Sequence, residues 1–286
     1  MNDQGGNGRI GFSPDRDIQA TPIRIPGLHD IVKLAAGAQH VLALTSDGSV
    51  FSWGCGEQYQ LGRRRLSKQH NLLPAPCALA TGIEDIGAGL YHSFALHKSA
   101  SVYAWGSNNF GQTGIVSGAG KSDATVLYPT LVKSLKKYPL IKSITAGKDH
   151  SLAITDDGRC LVWGRIDNKA LGLDITTLPP DEIVVDAYNK PRILTVPHAI
   201  PEVEGEAVVA AAGTDHSFVI TRRGEVYSWG FNAQHQAGQS GTDEVERPML
   251  LQNKHVTGKK ILTAAAGGQF SILAGLHEPY TNGVES

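Results

Sequence analysis

Cysteine and methionine are scarce, with 3 and 2 residues among 286. Cys55, Cys77 and Cys160 form an odd, scattered set. That argues against a disulfide framework and against the paired spacing of a structural zinc site. No Asn-x-Ser/Thr acceptor occurs, no apolar run reaches membrane-spanning length, and the N-terminus has no signal-like apolar core. The expected setting is therefore a reducing compartment, cytosol or nucleus, with no membrane contact. An excess of either charge is also missing, because 26 Lys and Arg face 27 Asp and Glu for a net charge of -1. No global field then draws the chain to nucleic acid or lipid. A Gly-x-Ser-x-Gly elbow is absent as well, so no nucleophilic triad is indicated and no small-molecule substrate is expected. Cys55 reads as a small packed residue.

Tryptophan is rare too, but its placement is ordered. All four residues, Trp53, Trp105, Trp163 and Trp229, precede a glycine, and each lies 16 positions after the first glycine of a Gly-x-x-His phrase. Those phrases end on His40, His92, His150 and His216. A fixed internal spacing inside a variable outer period marks a repeat protein. Each unit has a small apolar run, a second run after the histidine, a turn such as Ser46-Asp47-Gly48, and a third run ending on tryptophan. Asp-Gly between alternating runs signals a hairpin. One small antiparallel sheet per unit cannot bury both faces alone, so the sheets must stack, and radial stacking gives a β-propeller.

The expected fold is all-β, one repeat domain over residues 1–286. It has about four complete blades near 32–80, 83–132, 141–200 and 208–256, and partial units at 1–28 and 261–275. Asn7-Gly8-Arg9-Ile10-Gly11 reads as the closing loop of a blade. The stretch from Asp174 to Glu206, with Pro179, Pro180, Pro191, Pro197 and Pro201, reads as an extended surface insertion. Tryptophan suits the gap between blades, and alanine and glycine in the first run suit a crowded centre. Truncating Trp105 or Trp163 is expected to be the most damaging of the four.

Three patterns tempt a sharper reading. The four histidines occupy the same place in different units, which favours a structural role, a tie to each blade's own backbone, over a metal set. Gly118-Ala119-Gly120-Lys121-Ser122 resembles the end of a phosphate-binding loop, but Ile115 stands where its first glycine belongs and no helix pattern comes after it. Arg63-Arg64-Arg65 and Lys133-Ser134-Leu135-Lys136-Lys137 read as solvated loops. No metal and no cofactor is expected.

Gly-x-x-His-Ser, the turn, and Trp-Gly-x-x-x-x-x-Gln-Leu-Gly resemble the repeat of the regulator of chromosome condensation family. The phrase Trp53-Gly54-Cys55-Gly56-Glu57-Gln58-Tyr59-Gln60-Leu61-Gly62-Arg63 is similar to that of its chromatin-associated guanine-nucleotide exchange factors for the small GTPase Ran. The resemblance implies the C-terminal part of a seven-bladed propeller, incomplete relative to seven. It implies a nuclear protein that holds the GTPase on one face and lowers nucleotide affinity by reciprocal coupling, without covalent catalysis. Chromatin or histones are implied as further partners. A non-catalytic interaction scaffold built from the same repeat is the alternative. By the same resemblance the GTPase-facing residues are Gln39, Tyr91, Asp149, Asp215 and Gln269, with Gln39 standing where the family often has an acid and Asp149 where it often has a histidine. The loop of Arg63–Arg65 is expected at the opposite end of its strand.

Overall fold

A computed structural model describes residues 10–11, 19–64 and 67–276. It is built almost entirely of antiparallel strands grouped in five sheets. The first blade holds β1 (Ile31–Ala36), β2 (His40–Thr45), β3 (Val50–Gly54) and β4 (Ala75–Pro76). The second holds β5 (Ile83–Ala88), β6 (His92–His97), β7 (Val102–Ser107) and β8 (Thr125–Leu131). The third holds β9 (Ile141–Ala146), β10 (His150–Thr155), β11 (Cys160–Arg165), β12 (Ile183–Val185) and β13 (Pro191–Ala199). The fourth holds β14 (Ala207–Ala212), β15 (His216–Thr221), β16 (Val226–Phe231) and β17 (Glu244–Leu250), and a half-blade pairs β18 (Ile261–Ala266) with β19 (Ser271–Gly275). The blades form a β-propeller arrangement.

The middle strands of the interior blades carry near-continuous apolar runs because those blades have a neighbour on both faces. Every residue of β10 and β15 is buried. Hairpin turns obey the Asp-Gly chemistry: Gly158 sits at φ 79°, and Asp157 in that turn accepts from the Thr155 hydroxyl and the Arg159 guanidinium. The first strands line a central cavity of about 370 Å³, walled by Ala35, Gly87, Ala211 and Ala265 among others. Close approach requires the small residues there, since a Cβ on Gly87 would stand 2.9 Å from the carbonyl of Ile144.

Each tryptophan fills an inter-blade gap as expected. Trp105, Trp163 and Trp229 are fully buried and Trp53 is 2% exposed, so Trp229 is enclosed as completely as the two residues expected to matter most. The indoles donate to carbonyls of the preceding blade's closing loop: Trp105 to Gln60 at 2.8 Å, Trp163 to Gln112 at 3.0 Å, Trp229 to Ala170 at 2.9 Å. Gly62 lies under the Trp105 ring, where a Cβ would stand 2.7 Å from Nε1, and Gly11 lies under Trp53 at the same distance. Ile10-Gly11 thus takes the part of a blade-closing loop, whereas Asn7, Gly8 and Arg9 lie outside the described residues.

Two expectations need correction. The stretch from Asp174 to Glu206 contains β12 and β13, so it supplies the blade's fourth strand and a fifth at its outer edge. Its prolines are accommodated because Pro191 begins a strand and Pro179 and Pro180 precede and open a short 3-10 turn. The histidines, in turn, reach the next blade rather than their own backbone. Nε2 of His40, His92, His150 and His216 lies 2.8, 2.9, 2.8 and 2.8 Å from Oγ of Ser93, Ser151, Ser217 and Ser271. Ser93, Ser151 and Ser271 pass the contact on, donating to the carbonyls of Gln60, Gln112 and Gln236. Their hydroxyl protons are used there, so the imidazole Nε2–H donates. One joint therefore holds histidine, serine and a closing-loop carbonyl together.

Candidate functional site

The turns between first and second strands of successive blades meet on one face. Backbone bonds stitch them in series: Ala38 N–H to Leu90 O at 3.3 Å, Leu90 N–H to Gly147 O at 3.2 Å, Lys148 N–H to Gly213 O at 3.2 Å, and Thr214 N–H to Gly267 O at 3.0 Å. The result is a curved rim at the mouth of the central cavity. Gln39, Tyr91, Asp149 and Asp215 each occupy the position before the first residue of a second strand. Their carbonyls accept the N–H of Cys55, Ser107, Arg165 and Phe231 at 2.7–2.9 Å, which fixes the backbone from which each side chain departs. Gln269 holds the matching place before Phe270, which stands where the other units have histidine. All five sequence-derived residues thus share the rim.

They are not equivalent on it. Gln39, Tyr91 and Asp215 are half-buried and Gln269 is exposed. Asp149 is only 7% exposed and is engaged within the chain, with Arg165 Nη1 at 3.3 Å from its Oδ2. Desolvation raises the Asp149 carboxyl above its usual range, against the opposing pull of Arg165 and Lys148. Arg165 also lies over the Phe110 ring, 4.6 Å from its centroid, and bonds Asp167 at 2.7 Å. Asp167 meets Arg192 at 2.9 Å, and Arg192 approaches Asp186 at 3.9 Å. Asp186 in turn accepts the N–H groups of Tyr188 and Lys190 at the tip between β12 and β13. A line of alternating charge therefore runs from the rim to that tip, where Tyr188 is 93% exposed.

Arg165, Asp167, Arg192 and Asp186 were missed in the sequence, although Asp149 was found. The signal that finds Arg165 is positional: the residue two places after each tryptophan starts the loop beside the rim, and reading Cys55, Ser107, Arg165 and Phe231 as a set isolates the one charged member. The basic clusters divide differently from expectation. Arg63 is 7% exposed and turns inward to the Ser52 hydroxyl and carbonyl and to Leu73 O at 3.3–3.4 Å, while Arg64 is exposed and Arg65 lies outside the described residues. That loop leaves β3 at the end where Cys55 bonds Gln39, so it starts on the rim face, not at the opposite end of the strand. Lys133–Lys137 forms a 3-10 turn anchored by buried Leu135. Gly118–Ser122 forms surface turns with no helix behind them.

The repeat histidines do not converge on a point, and burial drives His40, His92 and His150 down to about 3 and His216 to about 4. Burial also pushes the Cys77 thiol up to about 11 and that of Cys160 higher still; neither is a nucleophile. The rim is a polar surface whose backbone is held in place by its turn-to-turn bonds, an arrangement suited to recognition.

Comparison with known proteins places this surface in context. The model of the RCC1-like domain matches residues 2–273. Protein pim1 of Schizosaccharomyces pombe is 40% identical over 98% of this chain and 52% of its own length. Guanine nucleotide exchange factor SRM1 of Saccharomyces cerevisiae is 35% identical over 94% of this chain and 56% of its own. The crystal structure of Prp20p from Saccharomyces cerevisiae, described with its binding to Gsp1p and histones, superimposes with a TM-score of 0.86 at 32% identity, covering 94% of this chain and 62% of that one. The chain spans about half the length of the curated relatives it matches.

Proposed function

The chain belongs to the RCC1-like domain family, and on that premise we propose that its rim face binds a Ran-type small GTPase and promotes nucleotide release in the nucleus. The observation that carries the reading is the stitched rim, which holds Gln39, Tyr91, Asp149, Asp215 and Gln269 in series on one face. Similarity to SRM1 and to Prp20p, a protein that binds Gsp1p and histones, supports the class of partner. Release by this mechanism needs no covalent step. The propeller binds the GTPase more tightly when its nucleotide site is distorted, and linkage makes nucleotide binding weaker by the same factor. Histones are the second partner the similarity supports.

Within the rim the two carboxylates have different duties. Asp149 is held by Arg165 and orients it, whereas Asp215 is half-buried and meets a partner directly. Asp215→Ala should therefore weaken GTPase binding by about 2 kcal/mol or more, roughly thirtyfold, mostly through the off-rate. Asp149→Ala should lower binding less, and Arg165→Ala should reproduce its effect. The measurements are surface-immobilised binding and mant-nucleotide release on Ran. Unchanged binding in Asp215→Ala and Asp149→Ala, with loss in Arg64→Ala, would move the contact off the rim carboxylates and favour the scaffold alternative.

A further inference from the structure

The basic run that leaves the first blade is tied down at both ends. Arg63 turns inward, and its Nη1 donates to Oδ1 of buried Asn71 at 3.4 Å. Asn71 ends a single helical turn, α1 (Lys68–Asn71), and its N–H donates to Ser67 O at 3.1 Å. Between these anchors Arg64, Ser67 and His70 are exposed. No acidic residue occurs from Gln58 to Ile83, whereas Arg64, Arg65 and Lys68 flank Ser67, so the segment is purely cationic. An arginine three places before a serine or threonine is the charge pattern that arginine-directed protein kinases read with carboxylates in their cleft. In this chain two pairs satisfy it, Arg64 with Ser67 and Arg192 with Thr195. Burial separates them. Thr195 is 5% exposed, lies within β13 and spends its hydroxyl on Glu182 O at 2.9 Å. Ser67 lies outside the strands on the surface, and Arg65 gives it a second arginine two places before.

We propose that Ser67 is a phosphorylation site for an arginine-directed protein kinase. Ser67 Oγ attacks the γ-phosphorus of ATP, the bond from that phosphorus to the β,γ-bridging oxygen breaks, and ADP leaves. The hydroxyl proton passes to the kinase's catalytic carboxylate. Little native structure has to open for this. Among the described residues Ser67 Oγ meets only His70, at 2.6 Å from Nδ1 and 3.4 Å from the backbone N, and α1 is one turn. The ester adds roughly two negative charges at neutral pH, set against the cations of Arg64, Arg65 and Lys68. The segment therefore changes from strongly cationic to nearly neutral. It leaves β3 where Cys55 bonds Gln39, so the modification alters the charge of a loop that starts on the rim. The assignment rests on exposure and charge pattern and is independent of the GTPase reading.

The test incubates the folded chain with ATP and the catalytic subunit of the cyclic-AMP-dependent kinase, a member of the arginine-directed class. Incorporation should approach about one phosphate per chain, and tandem mass spectrometry should place it on Ser67. Ser67→Ala should lower incorporation about tenfold or more, and Arg64→Gln should lower kcat/KM for the phosphorylation by a similar factor. Lys133→Gln, a change in the other basic cluster, should leave both unchanged. Circular dichroism matching the parent keeps loss of the site apart from loss of the fold. Phosphate on a different residue, undiminished incorporation in Ser67→Ala, or no incorporation would overturn the assignment. So would labelling seen only after the chain is unfolded in urea, which would mean that the native loop is closed to the kinase.

Discussion

Acidification from pH 7.5 to pH 5 should unfold this protein, well above the range in which carboxylates titrate. The cause is the set of four joint imidazoles. His40, His92 and His150 are held down to about 3 and His216 to about 4 because burial disfavours their charged forms. In the unfolded chain each takes a proton near pH 6.5. The unfolded state therefore binds more protons below pH 6.5, and stability is full above that value and falls as the pH drops from 6.5 toward 3. At pH 5 the loss is about 2 kcal/mol per imidazole, or roughly 8 kcal/mol for four, which is comparable to the whole stability of a typical domain. Protonation also places a charge where Nδ1 has no acceptor beside it, as at His40, His92, His150 and His216. Urea midpoints measured across this window, for the parent and for His150→Gln, check it. The glutamine variant keeps a donor for Ser217 and should lose about 2 kcal/mol less than the parent between pH 7.5 and 5. A parent whose midpoint is flat down to pH 4.5 would refute the neutral-joint account.

Trp163→Ala should cost about 3–5 kcal/mol, the range for deleting a fully buried aromatic. The indole is fully buried, gives its N–H to Gln112, and packs edge-on against Phe94 within the core shared by the second and third blades. Ring loss leaves a cavity that β10 and β11 cannot close, because their backbones are pinned by the His150–Ser217 joint on the other side. Trp163→Phe should cost about half as much, since most of the apolar contact survives and Gln112 O keeps the Ser151 hydroxyl. Trp229→Ala should match Trp163→Ala, and Trp53→Ala should cost less, because Trp53 packs in a smaller cluster with Leu28 and Ala43. Guanidinium denaturation monitored by far-UV circular dichroism reads all four. Equal midpoints for Trp163→Ala and the parent would remove inter-blade packing as the source of stability.

The repeat was legible in the sequence because its two signatures are halves of one contact. Gly54, Gly106, Gly164 and Gly230 adopt φ of 100–109°, and any Cβ on them would collide with the carbonyl of the residue before the repeat histidine. Trp-Gly and Gly-x-x-His are thus bound to each other through a short hairpin of fixed length, and the spacing of 16 is its result. The joint was not legible to the same degree. His40 and Ser93 are 53 residues apart and His150 and Ser217 are 67 apart, separated by loops of different length, so no period connects them. The fifth strand of the third blade escaped because Ile183–Val185 is three residues long and sits among prolines. Arg63 looked like part of an exposed run because the carbonyl and hydroxyl that turn it inward belong to Ser52 and Leu73, eleven and ten residues away. The rim residues were found from the resemblance, and the ion pair that distinguishes Asp149 from Asp215 needed coordinates.

A joint that ignores blade number has an evolutionary consequence. The second blade offers Ser93 and Trp105 to the blade before it, and His92 with the Gln112 carbonyl to the blade after it. A duplicated copy inserted next to it would meet the same four groups it already meets, so the unit can be multiplied by a single in-frame event with no compensating change at either seam. Two units depart from this interchangeability, because Val41 stands where the other units have serine after the histidine and Phe270 stands where they have the histidine. A copy of either would bring a joint that lacks one of its partners, so the units that carry the full set are the ones duplication can multiply without a second change.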